Sequence, residues 1–98
     1  MKIDQYKNDT QMRLALTGRL DTLTSPELDE IITNELDGDA DLTLDLAGLD
    51  YISSAGLRVL LRAQKKMAVC GQMKLVGVSP IIMEIFEITG FSEILTIE

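Results

Sequence analysis

Leu49-Asp50-Tyr51-Ile52-Ser53-Ser54-Ala55-Gly56-Leu57-Arg58-Val59-Leu60-Leu61 is the stretch in which one hydropathy period gives way to another. Behind it, Leu42, Leu44 and Leu46 alternate with Thr43 and Asp45, the period-two pattern of a half-buried strand. Ala47 to Ile52 carries the chain on towards a helix. Ahead, Leu57, Leu60, Leu61 and Ala68 recur at helical spacing, which predicts a helix from near Ser54 to about Val69. Two serines and a glycine mark the junction. A strand that feeds an amphipathic helix is the first half of a crossover connection, and crossovers join parallel strands.

The same alternation of elements extends in both directions. Upstream, residues 25–36 read as a helix with Leu28, Ile31, Ile32 and Leu36 on one face. Thr24 and Ser25 both suit its N-cap, Pro26 suits its first turn, and Thr24 with Glu27 fits a capping box. Before it, residues 2–7 and 11–17 read as two strands joined by the polar turn Lys7-Asn8-Asp9-Thr10, a hairpin, after which Gly18 opens a loop. Asp37-Gly38-Asp39-Ala40-Asp41 and Gly71-Gln72 read as further turns. Downstream, residues 73–78 form a short strand. Ser79-Pro80 then starts a helix carrying Ile81, Ile82, Ile85, Phe86 and Ile88, which should stop at Gly90 with Phe91 packed back over its end. Residues 94–97 can supply a last edge strand. The order is ββαβαβαβ. The expected fold class is α/β: a small mixed β-sheet, an N-terminal hairpin plus parallel strands, with helices packed against it.

A chain of 98 residues suffices for one domain, 1–98, and is too short for two. Histidine is absent, which excludes a Ser-His-Asp triad, a Cys-His dyad and any histidine metal site within the chain. Cys70 is the only cysteine, so no internal disulfide forms, and a reducing cytosol fits best. It reads most simply as a small, partly buried apolar residue at a helix end. Net charge is −7, which argues against nucleic acid as a partner. Residues 1–50 carry 4 basic and 12 acidic side chains, whereas residues 51–98 carry 5 and 4. Such polarity suits protein contacts, and suits plain solubility equally. No apolar run approaches the length of a membrane span and the N-terminus has no signal-like apolar stretch, so a cytoplasmic protein is expected. Neither GxGxxG nor GxxxxGK[ST] is present, and Asp45 and Asp50 fall on opposite faces of one strand, so no cofactor or metal is expected.

The serines at the junction admit two readings. In the first, Ser54 caps the helix, because a serine at a helix start accepts a bond from an otherwise unpaired backbone N–H. The same place suits a phosphate, which would sit at the positive end of the helix. A phosphate on Ser54 would add about −1.5 to −2 charges, and a tenfold change in partner affinity needs only about 1.4 kcal/mol. Gly56, lacking Cβ, is read as leaving the helix start open to a partner.

The segment resembles the phosphorylation motif of the STAS family, specifically the bacterial anti-sigma factor antagonists, which reads roughly Asp-Ser-Ser/Thr-Gly-Leu after a hydrophobic pair. Ser53 falls at the Asp position, Ser54 at the phosphorylated serine, Ala55 at the second Ser/Thr, and Gly56 and Leu57 match directly. Leu16-Thr17-Gly18-Arg19-Leu20-Asp21 resembles the family's lead into its first helix, and Leu42-Thr43-Leu44-Asp45-Leu46 its central strand. Val78-Ser79-Pro80 and Thr89-Gly90-Phe91 resemble the start and end of its last helix, so the likeness covers nearly the whole chain.

The resemblance implies a binding module and not an enzyme. The unphosphorylated protein would bind an anti-sigma factor, often also a serine kinase of the GHKL type, and so free a sigma factor. The kinase would phosphorylate Ser54 from ATP, and a PP2C-type phosphatase would reverse it. Ser53 in place of the family's Asp removes a charge beside the acceptor and is the alternative modification site. Some divergent members bind partners without being phosphorylated, so the second reading is a subunit of a larger assembly, such as a phospholipid-transport or stressosome-like complex. The expected docking residues are Asp21, Thr22 and Thr24 in the loop after Gly18, then Ser53, Ser54, Ala55 and Gly56. Arg58 and Arg62 join them from the basic stripe Arg58, Arg62, Lys66, which reads equally as a solvated helix face. An enzymatic Ser54 would lack a histidine base, and the nearest lysines, Lys65 and Lys66, lie three turns along the helix.

Overall fold

A computed structural model describes residues 1–35 and 40–98. The described residues form seven strands and helices, β1 (Lys2–Lys7), β2 (Gln11–Leu20), α1 (Ser25–Glu35), β3 (Asp41–Ile52), α2 (Ser54–Cys70), β4 (Met73–Val76) and α3 (Pro80–Thr89), followed by a 3-10 turn, Phe91–Glu93. The four strands form one sheet in the order β1-β2-β3-β4. β1 and β2 pair antiparallel as the hairpin, and the β2–β3 and β3–β4 pairs are parallel, crossed over by α1 and α2. The expected helical position of Leu36, the turn at Asp37-Gly38-Asp39 and the side chain of Cys70 lie outside the described residues.

Alternation decides which face of the sheet is covered. Met12, Leu14 and Leu16 of β2, Leu42, Leu44 and Leu46 of β3, and Met73 and Leu75 of β4 are all buried in one core with Leu28 and Ile32 of α1, Leu60 and Met67 of α2, and Ile82 and Phe86 of α3. The opposite face carries Arg13, Thr43, Asp45 and Lys74, where Arg13 pairs with Asp45 at 2.8 Å. α3 is bounded as its sequence signals require. Ser79 Oγ accepts from Ile82 N–H at 3.3 Å, Pro80 occupies the first turn, and Gly90 ends the helix at φ +81°.

Three expected boundaries move. Gly18 does not open a loop. With φ +105° it lies inside β2, whose pairing with β3 shifts register twice and runs on to Leu20↔Ile52. β3 accordingly continues through Ala47–Ile52. The edge strand expected at 94–97 reduces to one bridge, Leu75↔Ile97, with Leu75 N–H on the Thr96 carbonyl and Glu98 N–H on the Leu75 carbonyl, both at 2.9 Å. The 3-10 turn occupies the chain up to Glu93, so only the last residues reach the edge of the short β4.

Candidate functional site

The extended β2–β3 pair delivers two chain segments to one corner. Ser53 N–H donates to the Leu20 carbonyl at 2.9 Å, tying the start of α2 to the end of β2. The loop from Asp21 to Thr24 therefore lies beside the serines, although Asp21 and Ser53 are 32 positions apart in sequence.

The loop is held by its own polar groups. Asp21 Oδ1 accepts from the N–H of Leu23 at 3.0 Å and of Thr24 at 3.1 Å. Asp21 N–H donates to Thr24 Oγ1 at 2.9 Å, and Thr24 Oγ1 donates to the Arg19 carbonyl at 2.7 Å. The expected capping box is absent: Thr24 turns back to the loop, and Glu27 N–H meets the Thr24 carbonyl instead of its hydroxyl. Ser25 Oγ donates to the Asp21 carbonyl, which leaves this serine as the buried polar side chain of the corner. The Thr24 amide above all, against an opposing desolvation effect second only to it, and then the Leu23 amide, the Thr24 hydroxyl and the Arg19 guanidinium, hold the Asp21 carboxyl below its ordinary value. On the outer side of this corner Arg19 stacks over the Tyr51 ring, 4.3 Å from its centroid.

The two serines divide their roles. Ser53 is the N-cap, with extended backbone, and its Oγ accepts from Gly56 N–H at 3.3 Å. Ser54 is the first helical residue and is exposed. The expectation that Ser54 itself caps the helix is thus corrected. The residue whose backbone is still extended, one position earlier, has the geometry to reach the first-turn amides. Gly56 is also corrected: it does not open the helix start to a partner. It is buried, and a Cβ there would lie 2.8 Å from Leu20 Cγ and 2.9 Å from both Ile52 Cγ1 and the Leu20 carbonyl oxygen. The glycine permits close packing of α2 on the sheet ends from beneath the site.

A shallow groove of about 210 Å³ runs between the first turns of α1 and α2. Thr22, Ala55, Arg58 and Arg62, four of the residues expected at a docking surface, line it together with Ser25, Pro26, Asp29 and Val59. Asp21, Thr24, Ser53, Ser54 and Gly56 do not line it; Asp21 and Thr24 instead fix the neighbouring loop, and Ser54 directly precedes the lining residue Ala55. Sequence reasoning missed Asp29, which pairs with Arg62 at 3.0 Å across the groove; no local spacing connects the two. The basic stripe is partly structural, since Lys66 Nζ donates to the Ile32 carbonyl near the end of α1 at 2.9 Å. A larger cavity of about 610 Å³ opens at the opposite end of the sheet, beside Asp41, Gln64 and Gln72, with Gln11, Met12 and Arg13 lining it from β2. None of the expected docking residues lines that cavity. No helix among the described residues is long and apolar enough to cross a membrane.

The chain is similar to known proteins along nearly its whole length. The family model described as the STAS domain matches residues 2–98. The chain is 38% identical over 96 residues to BtrV of Bordetella bronchiseptica, which carries the name of an anti-sigma factor antagonist, across 96% of this chain and 83% of that protein. It is 30% identical over 97 residues to the anti-sigma-B factor antagonist of Staphylococcus aureus, across 97% of this chain and 90% of the relative. The phosphorylated form of the Bacillus cell fate determinant SpoIIAA shares the fold, with a TM-score of 0.76 at 18% identity over 99% of this chain and 91% of that one.

Proposed function

Because the chain belongs to the STAS domain family, whose anti-sigma factor antagonists are regulatory binding proteins and not enzymes, we propose that it is an anti-sigma factor antagonist switched by phosphorylation at Ser54. In this reading the unmodified protein binds a cytoplasmic anti-sigma factor that doubles as a GHKL-type serine kinase, and thereby releases a sigma factor. The kinase transfers the γ-phosphoryl group of ATP to Ser54 Oγ, giving ADP and losing the hydroxyl proton, and binding ends. A PP2C-type phosphatase hydrolyses the ester and restores the serine.

The observation that carries the reading is the exposure of Ser54 at the first position of α2, immediately before groove residue Ala55. Ser53 is the poorer acceptor because its oxygen is engaged in capping. The cap also accounts for the departure from the family motif: Asp and Ser are both preferred N-caps, so Ser53 keeps the helix start intact without the charge. A phosphate on Ser54 adds about −1.5 to −2 charges at that corner. The helix start tolerates negative charge, so the modification acts on the partner and leaves the fold in place. SpoIIAA, solved in a phosphorylated form, is a protein of the same fold that retains it with phosphate attached.

The experiment is phosphosite mapping on protein isolated from its own cells, with capture of partners by tagged native protein and by Ser54→Asp. Phosphate on Ser54, and a kinase-like anti-sigma factor captured by the native form but lost by Ser54→Asp, is the expected result. Wild-type capture by the Asp variant, or an unphosphorylated protein held in a stable large complex, overturns the switch.

A further inference from the structure

Three cations at four-residue spacing run along α2, and the fold engages two of them. Arg62 pairs with Asp29 at 3.0 Å, and Lys66 donates to the Ile32 carbonyl at 2.9 Å. Arg58 is exposed in the groove and makes no hydrogen bond or ion pair with the described residues. One turn before it, at the same four-residue step, stands Ser54. Side chains four apart on a helix are neighbours, with Cβ atoms about 5–6 Å apart. Long helical side chains lean towards the N-terminus, which is the direction of Ser54, and not of Arg62, from Arg58. An anion placed four residues before a cation is also the more favourable order of such a pair.

From these observations, and resting on the reading of Ser54 as phosphoacceptor, we infer that Arg58 is the internal counter-ion of the Ser54 phosphate. In the unmodified protein its guanidinium is available to a carboxylate of the partner at the groove. With phosphate on Ser54 the guanidinium turns back to the phosphate oxygens in a charge-assisted bond. Modification therefore changes the groove twice, adding negative charge at its end and withdrawing the unpaired cation from its wall. The other charges bordering it are already committed: Asp29 to Arg62, and Asp21 to the loop amides with Arg19 3.9 Å away.

The test uses full-length protein with phosphoserine installed at position 54 during translation, in the native, Arg58→Gln, Arg58→Lys and Arg62→Gln backgrounds. The second ionisation of the phosphate is followed by phosphorus NMR. A facing guanidinium favours the dianion, so the native phosphate should titrate about 0.3 pH unit or more below that of Arg58→Gln. Arg58→Lys should recover part of the shift, and Arg62→Gln should match the native protein. Superimposable native and Arg58→Gln titrations, or an equal shift with Arg62→Gln, overturn the inference. Because the phosphate is installed directly, the result does not depend on a cellular kinase. Absence of Ser54 phosphate in native cells would overturn the proposed function and leave this measurement standing.

Discussion

Ser53 and Ser54 carry the same side chain one position apart, and backbone conformation alone separates their uses. Ser53 has extended backbone, φ −95° and ψ 175°, from which Oγ reaches Gly56 N–H. Ser54 is already helical and its side chain is exposed. Ser53→Ala should therefore cost about 1 kcal/mol in urea denaturation, while Ser54→Ala stays within about 0.5 kcal/mol of the native protein. Equal losses at the two sites would contradict the capping assignment. Asp21 supplies a pH-dependent counterpart. Its carboxyl is held below its ordinary value mainly by the Thr24 amide. A depressed folded-state value means that the stabilisation is fully present above the unfolded aspartate value, about 3.9. It is lost as pH falls through the lower folded value. The stability difference between native protein and Asp21→Asn should accordingly be constant near neutrality and shrink as pH drops below about 4. A difference that grows on acidification would be the wrong sign.

At the scale of the element, α2 is buried over a wider arc than its leucines announce. Leu57 and Leu60 are buried as expected and Leu61 only partly, but Ala68 is exposed, whereas Val59, Ala63 and Met67 are buried. A single stripe describes a helix with one packing partner. This helix packs on the sheet and on α1, and the second contact takes in Val59 and the Arg62 and Lys66 stems. Gly56 belongs to the sheet-side contact. Alanine is the better helix former by about 1 kcal/mol, yet its Cβ would meet Leu20 and Ile52 at 2.8–2.9 Å. Overpacking of that kind costs about 1–3 kcal/mol. Gly56→Ala should lower the melting temperature despite its helix propensity; a rise would mean that α2 can shift outward without loss.

Across the whole molecule, the core is one cluster fed by every strand from β2 to β4, all three helices and Leu95 near the C-terminus. Phe86 of α3 is fully buried in it. Phe86→Ala should cost about 3–5 kcal/mol, a large share of the roughly 5–15 kcal/mol that stabilises a typical domain. Far-UV and near-UV circular dichroism should shift to lower denaturant together, since one core unfolds as one unit; separate transitions would show that α3 unfolds independently. Local sequence determined the element order, the hairpin, the parallel crossovers and the start and stop of α3, because period, cap and proline signals act between residues a few positions apart. It also placed Ser54 at a helix start. Only the tertiary structure decided which serine caps that helix and that Gly56 is a packing glycine. It likewise decided that the final strand shrinks to one bridge and that Arg62 and Lys66 are engaged while Arg58 is not. Those outcomes depend on Leu20, Asp29, Ile32 and Leu75 meeting groups about 20 to 35 residues away, which neither periodicity nor local spacing encodes.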